Sequence, residues 1–250
     1  MVIEMTRDIY NLIKENFSKL IDNENFYNEK VVIKARILDP KEAIGNPERK
    51  DFPLLKGKER IMQADFKGSY GQAFTDMYGN YEGTLDQIIN MNLNNNYRRA
   101  IFVSTINAVM RYLNLIEGTI HCKDEDPEHC GEELIKYVLT NYDKPKIAFV
   151  GFQPALVEHC SKKFEIKVLD LDKNNIGKKK FGLTILDGEK EIDKTLKWCD
   201  LAIATGSTFV NGSAQKIIDQ MNNKPILFYG VTVAGIAKLL NLDRFCYCAK

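Results

Sequence analysis

The sequence predicts an α/β protein in which a small α+β unit packs on a larger, mostly parallel, doubly wound sheet. Three observations support this fold class. From residue 144 onward, short apolar runs alternate with segments of helical periodicity, as in βαβ units. Before residue 97, one amphipathic helix precedes strand-like runs separated by turn residues. Between these parts lies a segment that is apolar on nearly every face. We therefore expect two domains, residues 1–96 and 97–250.

The composition is that of an ordinary globular protein, with 44% hydrophobic residues among 250. Its 35 basic and 34 acidic residues give a net charge of +1, which indicates neither nucleic acid nor an anionic membrane as a partner. No window approaches the ~18 apolar residues of a membrane span, and no signal-peptide core is visible. We expect a cytoplasmic protein. Its six cysteines should then be core residues, metal ligands or reactive thiols.

The N-terminal unit should begin with a helix over about residues 3–22, whose apolar stripe is Ile9, Ile13, Phe17 and Leu20. Three strands are predicted to follow, at "KVVIKARIL" (30–38), "RIMQADF" (60–66) and "GQAFTDM" (71–77). Thr84 is a suitable N-cap for a short helix in "GTLDQIINMNL".

The polar stretch "NLNNNYRRA", residues 92–100, is the expected boundary between the two units. The next segment, "RRAIFVSTINAVMRYLNL", predicts a helix covered on all sides, as one between two domains or under a sheet would be. Asn107 lies in its middle. Its amide is either satisfied by nearby backbone or directed at a ligand.

The C-terminal part reads as alternating strands and helices. Helices are predicted in "PALVEHCSKKF", "KEIDKTLKWC", "NGSAQKIIDQM" and "VAGIAKLLN". The strands are "PKIAFVGF", "EIKVLDLD", "DLAIATGST", "KPILFYGVT" and "RFCYCAK", with the run "FGLTILDG" between the second and third of them. Cys246 and Cys248 would share one face of the last strand, where small buried residues are usual.

Ligands of such a sheet bind beyond the carboxyl ends of its strands. The loop "GFQP" (151–154) has the position of a phosphate-binding turn but lacks G-x-G-x-x-G. Asp170 ends the next strand. Its carboxylate either binds ribose hydroxyls or is only solvated at the strand end. The loop "TGSTFVNGS" (205–213) could hold an anion at a helix N-terminus near Asn211, or Asn211 and Ser213 only cap that helix. "GVTVAG" (230–235) adds a glycine turn.

The segment "HCKDEDPEHC", His121 to Cys130, places two His-Cys pairs around an acidic centre. Asp126 is the expected N-cap and Pro127 the first residue of the helix that follows. Cys130 would then lie in the first helical turn, where the helix dipole stabilises a thiolate. Thiolate and imidazole are ligands of soft and borderline metals, although Cys122 and Cys130 converge only if the acidic loop folds back.

Together, "TGSTFVNGS", "GQAFTD" and "HCKDEDPEHC" resemble a family of unknown function described as "putative heavy-metal chelation". The resemblance covers nearly the whole chain. It implies an enolase-N-like domain joined to a Rossmann-like domain, and a cleft between them. It also implies binding or chelation of a metal, directly or through a small molecule, and no known reaction.

Three functions follow as alternatives: a metal-binding protein, an enzyme acting on a small anionic or nucleotide-like substrate, and a non-catalytic binding module. The cofactor of the first would be a soft or borderline metal ion. The expected metal ligands are His121, Cys122, His129 and Cys130. The residues expected to contact a ligand in the cleft are Gly151, Phe152, Asp170, Thr205, Gly206, Ser207, Thr208, Asn211, Gly230 and Thr232, with Lys56, Thr75 and Asp76 on the opposite wall.

Overall fold

A four-stranded antiparallel sheet forms the N-terminal part of the protein. The computed structural model describes residues 8–34, 45, 48–49 and 59–250. The strands are β1 (Lys30–Lys34), β2 (Arg60–Phe66), β3 (Ser69–Thr75) and β4 (Tyr81–Thr84), in the order β3-β2-β1-β4. The prediction of β2 matches its bounds. Residues 35–38 of the first predicted strand lie outside the described residues.

Two helices accompany this sheet. Helix α1 (Ile9–Glu24) begins after Asp8, whose carboxylate accepts the N–H groups of the next turn, and Ile21 rather than Leu20 completes its buried stripe. The short α2 (Leu85–Ile89) has Thr84 as its N-cap in a capping box with Gln87, which confirms the predicted cap.

The apolar helix is α3 (Asn96–Tyr112), and its residues 100–110 are all buried. It packs against β2 and β3 on one side and against two helices of the C-terminal part on the other. A helix covered from both sides has no solvent-exposed polar face, which explains the mostly apolar sequence, interrupted only by Ser104, Thr105 and Asn107 between residues 100 and 110.

The second sheet has seven strands in the described part of the chain, in the order β11-β10-β9-β5-β6-β8-β7. Its strands are β5 (Ile147–Val150), β6 (Ile166–Asp170), β7 (Lys179–Lys180), β8 (Leu183–Asp187), β9 (Leu201–Thr205), β10 (Ile226–Tyr229) and β11 (Arg244–Phe245). All pairs are parallel except the edge pair of β7 and β8. Counted among the parallel strands, this is the 3-2-1-4-5-6 order of a doubly wound sheet. The predicted fold class is confirmed.

Helices cover both faces of this sheet. They are α4 (Asp126–Tyr142), α5 (Pro154–Ser161), α6 (Ile192–Trp198), α7 (Thr208–Asn211), α8 (Ala214–Met221) and α9 (Ala234–Leu240). Helices α4 and α5 pack on one face through residues such as Leu134 and Val157. The opposite face shares one apolar core with α3 and the N-terminal sheet. Among the described helices, none has the length and apolar character needed to cross a membrane.

Three local predictions are wrong. Helix α4 begins one residue earlier than expected, so Glu125 is its N-cap and Asp126 instead accepts the N–H of Lys123 at 3.0 Å. Asn211 ends the short helix α7 and does not begin a helix. Strand β11 ends at Phe245, because only Arg244 and Phe245 pair with β10 and the chain then turns away.

Candidate functional site

The loops after β5 and β9 meet at the carboxyl edge of the parallel sheet. A Cβ atom on Gly151 would lie 2.7 Å from Cγ2 of Thr205, so the close approach of the two loops requires glycine. The hydroxyl of Tyr229 donates to the Gly151 carbonyl at 3.1 Å. This is the position where strand order reverses and where ligands of doubly wound sheets bind. We call these two loops and Asp170 the rim.

The "TGSTFVNGS" loop uses its own polar groups internally. The hydroxyl of Thr208 donates to the Thr205 carbonyl at 2.8 Å, and the hydroxyls of Thr205 and Ser207 lie 3.2 Å apart. The N–H groups of Gly206 and of residues 209–212 donate to backbone carbonyls. The side chain of Asn211 accepts from the N–H and hydroxyl of Ser213. These donors are engaged within the protein, whereas the N–H of Ser207 lies 3.4 Å from the Thr205 hydroxyl. Anion binding by the loop stays a prediction.

Gly206 also faces protein and not an open cleft. A Cβ atom at this position would lie 2.7 Å from the backbone nitrogen of Val233. Gly230 has φ +93°, a conformation that favours glycine, and its carbonyl accepts from Nε of Arg244 at 3.1 Å. Both glycines therefore have a structural reason to be glycine.

Carboxyl groups surround the rim. The pKa of Glu59 is raised to about 7. Burial is the main cause, and the carboxylates of Asp170, Asp76 and Asp172 add to it. Burial also raises the pKa of Asp170, although Asn175 donates to its carboxylate at 2.9 Å. Acidic groups repel an anion, so the rim suits a cationic or hydroxyl-rich ligand better than the anionic substrate considered from the sequence.

The end of β3 lies against the rim side of the second sheet. The N–H of Phe74 donates to the hydroxyl of Thr232 at 3.1 Å, and β3 packs on α7. Thr75 is buried, with its hydroxyl donating to the Met77 carbonyl at 2.9 Å, and Asp76 accepts from Asn96 at 2.6 Å. The two walls predicted for a shared cleft are thus neighbours.

Phe152 and Lys56 are the remaining residues that were predicted to line the cleft. Phe152 is buried and stacks on Phe181, with ring centroids 6.4 Å apart. Lys56 lies outside the described residues. Glu59 was missed from the sequence, because its pKa is raised by burial and by acids elsewhere in the chain, which local patterns do not reveal.

The second concentration of reactive groups is formed by the C-terminal tail, residues 246–250. Lys250 and Ile120 exchange two backbone hydrogen bonds, of 2.8 and 3.0 Å. The ring of Tyr247 packs edge-on against His129, with centroids 5.2 Å apart. The tail therefore covers the segment that precedes α4 and the first residues of that helix.

The course of the C-terminal tail brings three cysteines together. We call Cys122, Cys130 and Cys248 the thiol cluster. Cys122 and Cys130 are both buried, at 8% and 7% exposure. The side chain of Cys130 lies close enough to those of Cys122 and Cys248, and to the backbone of Tyr247 and Cys248, for each of them to shift its pKa. The acidic loop does fold back, as convergence of Cys122 and Cys130 required.

The three sulfurs shift one another's pKa values. The interaction with Cys122 is the main cause that lowers the pKa of Cys130, to about 6. The interaction with Cys130, followed by burial, raises the pKa of Cys122. Burial and the contact with Cys130 raise the pKa of Cys248 to about 12. Deprotonation is therefore favoured at Cys130 over its two neighbours.

Cys246 is near this cluster but has other partners. It interacts with the side chain of Arg244 and with the backbone of Gly230. Burial is the main reason that the pKa of Cys246 is raised. Arg244 itself is fixed by the Gly230 carbonyl at 3.1 Å and by the Gly118 carbonyl at 2.6 Å.

The two histidines of the segment do not join the thiols. His121 packs edge-on against Phe74, with centroids 5.2 Å apart, and its backbone N–H donates to Gln72. His129 is half exposed, and its Nδ1 lies 3.8 Å from a carboxylate oxygen of Glu132. Cys130 is the fifth residue of α4, so it lies just beyond the first turn.

Within residues 8–34, 45, 48–49 and 59–250, no group of three or more His, Cys, Asp or Glu side chains is arranged to hold a metal ion. Ligation by the cluster would therefore require its side chains to move. Sulfur ligands suit soft and borderline ions.

Comparison with known proteins addresses the C-terminal part of the chain. Residues 133–244 match the DUF364 family. The description of DUF364 is "Putative heavy-metal chelation", and the resemblance inferred from the sequence is confirmed over this region. The matched residues contain both rim loops. Cys122, Cys130, Cys246 and Cys248 all lie outside them.

Two solved structures of DUF364 proteins, both of unknown function, are similar to this chain. One, from Pyrococcus horikoshii, has 19% identity and a TM-score of 0.54, over 90% of this chain and 80% of its own. The other, from Desulfitobacterium hafniense DCB-2, has 13% identity and a TM-score of 0.50, over 72% of each chain. These similarities show the fold. No curated protein matches the sequence.

Proposed function

We propose that the protein binds a thiophilic metal ion through the thiol cluster. The observation that carries this proposal is the course of the tail, which pairs with Ile120 and packs on His129 and so brings Cys248 to the buried Cys122 and Cys130. Thiolates are the protein ligands that soft and borderline ions prefer. The description of DUF364 supports a role in metal binding, without indicating which residues take part.

The position of the cluster suits reversible binding. It lies where the tail meets the segment before α4, so three separate parts of the chain supply one sulfur each. Cys122 and Cys130 are buried but not fully enclosed, and Cys248 is half-buried. An ion can therefore reach the sulfurs from solvent, while the surrounding protein restricts competing water.

The test is the metal content of protein purified without an affinity histidine tag and without oxygen. We expect wild-type protein to bind one equivalent of a thiophilic ion, and the variant Cys122→Ala/Cys130→Ala to bind none. Cys160→Ala is the matched control, because Cys160 is also a buried thiol but packs in the core under α5. Equal metal content in wild type and the double variant, both folded by circular dichroism, would refute the proposal.

The rim supports a second candidate function, the binding of a small cationic or hydroxyl-rich ligand. The observation in its favour is the pair of carboxyls at Glu59 and Asp170 that interact with Tyr229, with Asp76 near Glu59. We expect Mg²⁺ or Mn²⁺, alone or with a polyol, to raise the melting temperature of wild type and not of Asp170→Asn. A shift that is the same in both proteins would exclude the rim as the binding site.

A further inference from the structure

We infer that the C-terminal tail, residues 246–250, is a cover that opens as a unit and controls solvent access to Cys122 and Cys130. Opening detaches the tail after Phe245, the last residue of β11, while both sheets stay folded. The inference goes beyond the proposed function, because it concerns access to the two thiols whatever they bind.

The segment beneath the tail is held from its other side by β3. The Thr119 carbonyl accepts from the N–H of Gln72 at 3.1 Å, and the Thr119 hydroxyl donates to the carbonyl of Tyr70 at 2.7 Å. The N–H of His121 donates to the side chain of Gln72 at 2.8 Å. Residues 119–121 therefore stay in place when the tail moves.

The end of the tail is attached to this segment at the protein surface. Lys250 and Ile120 exchange backbone hydrogen bonds of 2.8 and 3.0 Å, and Nη1 of Arg111 donates to the carbonyl of Lys250 at 2.8 Å. Ala249 packs on Gly118, where a Cβ atom would lie 3.2 Å from that of Ala249. Surface hydrogen bonds of this kind open locally far more often than the core of a sheet does.

The middle of the tail rests on the start of α4. The ring of Tyr247 packs edge-on against His129, with centroids 5.2 Å apart, yet Tyr247 is 59% exposed. Cys248 packs against the apolar core that contains Cys130. Because the tail pairs with Ile120 at one end and packs on His129 further back, it spans the positions of Cys122 and Cys130.

The burial of Cys122 depends on this cover. Cys122 is 8% exposed, yet within the described residues it belongs to neither of the two apolar cores. Residues 123–125, which follow it, are exposed. Detachment of the tail would therefore expose Cys122 most and Cys130 less, because Cys130 also packs in the core beneath α4.

The test is the rate at which iodoacetamide alkylates each cysteine in the reduced, metal-free full chain, measured by mass spectrometry. Tyr247→Ala and Arg111→Ala should each raise the rate at Cys122 by about 3- to 10-fold, because each removes one contact of the closed tail. The double variant should combine the two effects, since the contacts lie at different ends of the tail. Cys160, which is fully buried under α5, should react at an unchanged rate.

Hydrogen exchange of the Ile120 N–H is a second readout that does not depend on thiol chemistry, and it should accelerate in the same variants. Lys250→Pro, which removes the N–H that donates to the Ile120 carbonyl, replaces Arg111→Ala if that variant does not fold. Tyr78→Ala is the matched control, because Tyr78 is an exposed tyrosine that packs on Arg60.

Two results would overturn the inference: unchanged rates at Cys122 in all tail variants, or an equal increase at Cys160, which would mean that the whole domain opens. Because the protein is free of metal in this test, either result leaves the proposed function standing. A tail that opens as expected on a protein that binds no thiophilic ion would refute the proposed function alone.

Discussion

The side-chain oxygen of Asn107 accepts a hydrogen bond from the backbone N–H of Gly235 at 2.7 Å, in the interior between the two sheets. The amide nitrogen of Asn107 donates to the carbonyls of Gln72, Val231 and Thr232. One buried side chain thus joins β3, the loop after β10 and the start of α9. Of the two alternatives raised by the sequence, the amide satisfied by backbone is the correct one.

Replacing Asn107 by Leu should therefore lower the free energy of unfolding by about 2–4 kcal/mol, because several buried backbone groups lose their partner at once. Urea denaturation followed by circular dichroism measures this change. Asn141→Ala is the matched control, since Asn141 is an exposed helical amide that bonds only to the Tyr137 carbonyl. Similar losses in both variants would contradict the bridging role of Asn107.

Gly71 lets β3 approach α3 closely. A Cβ atom at this position would lie 2.3 Å from the backbone nitrogen of Ala108 and 2.4 Å from the carbonyl oxygen of Ser104. Gly71→Ala should destabilise the protein by about 3 kcal/mol or more, because backbone atoms have to separate. Gly68→Ala provides a comparison, since Gly68 has φ +84° and open space around it and should cost only about 1–2 kcal/mol. A melting temperature that is lower for Gly68→Ala than for Gly71→Ala would show that β3 and α3 separate at little cost.

The raised pKa of Glu59 predicts a pH-dependent stability. Between pH 4.5 and about 7 the carboxyl stays protonated in the folded protein but ionises in the unfolded chain, so rising pH favours unfolding. The penalty is complete above about pH 7. Glu59→Gln removes it, and the variant should gain about 1–3 kcal/mol over wild type between pH 5 and pH 8, at about 1.4 kcal/mol per pKa unit. A stability difference that does not change with pH would refute this assignment.

Metal binding by the thiol cluster should stabilise the folded protein. A thiophilic ion such as Cu(I), at a free concentration about 100-fold above its dissociation constant, should add about 2.7 kcal/mol, provided that the unfolded chain binds it weakly. Anaerobic calorimetry of wild type with and without Cu(I) measures the effect. The melting temperature of Cys122→Ala/Cys130→Ala should not respond, whereas Cys160→Ala should behave like wild type. Stabilisation of the double variant to the same extent would place the ion elsewhere.

Sequence patterns determined the parts of this fold that depend on neighbours along the chain. The bounds of β2, the capping box at Thr84 and the burial of α3 follow from alternation, capping chemistry and a mostly apolar run. The order of strands and helices after residue 144 follows from the same local periodicity, which the backbone hydrogen bonds of each element impose.

Only the tertiary structure decided which reactive groups meet. Cys248 joins Cys122 and Cys130 because the chain leaves β11 after Phe245 and pairs with residue 120, a contact with no local signal. The pKa of Glu59 depends on its burial and on acids more than a hundred residues away, at Asp170 and Asp172. Spacing along the chain is readable from the sequence, whereas these sites arise from contacts between distant segments whose positions are set by packing of the shared core.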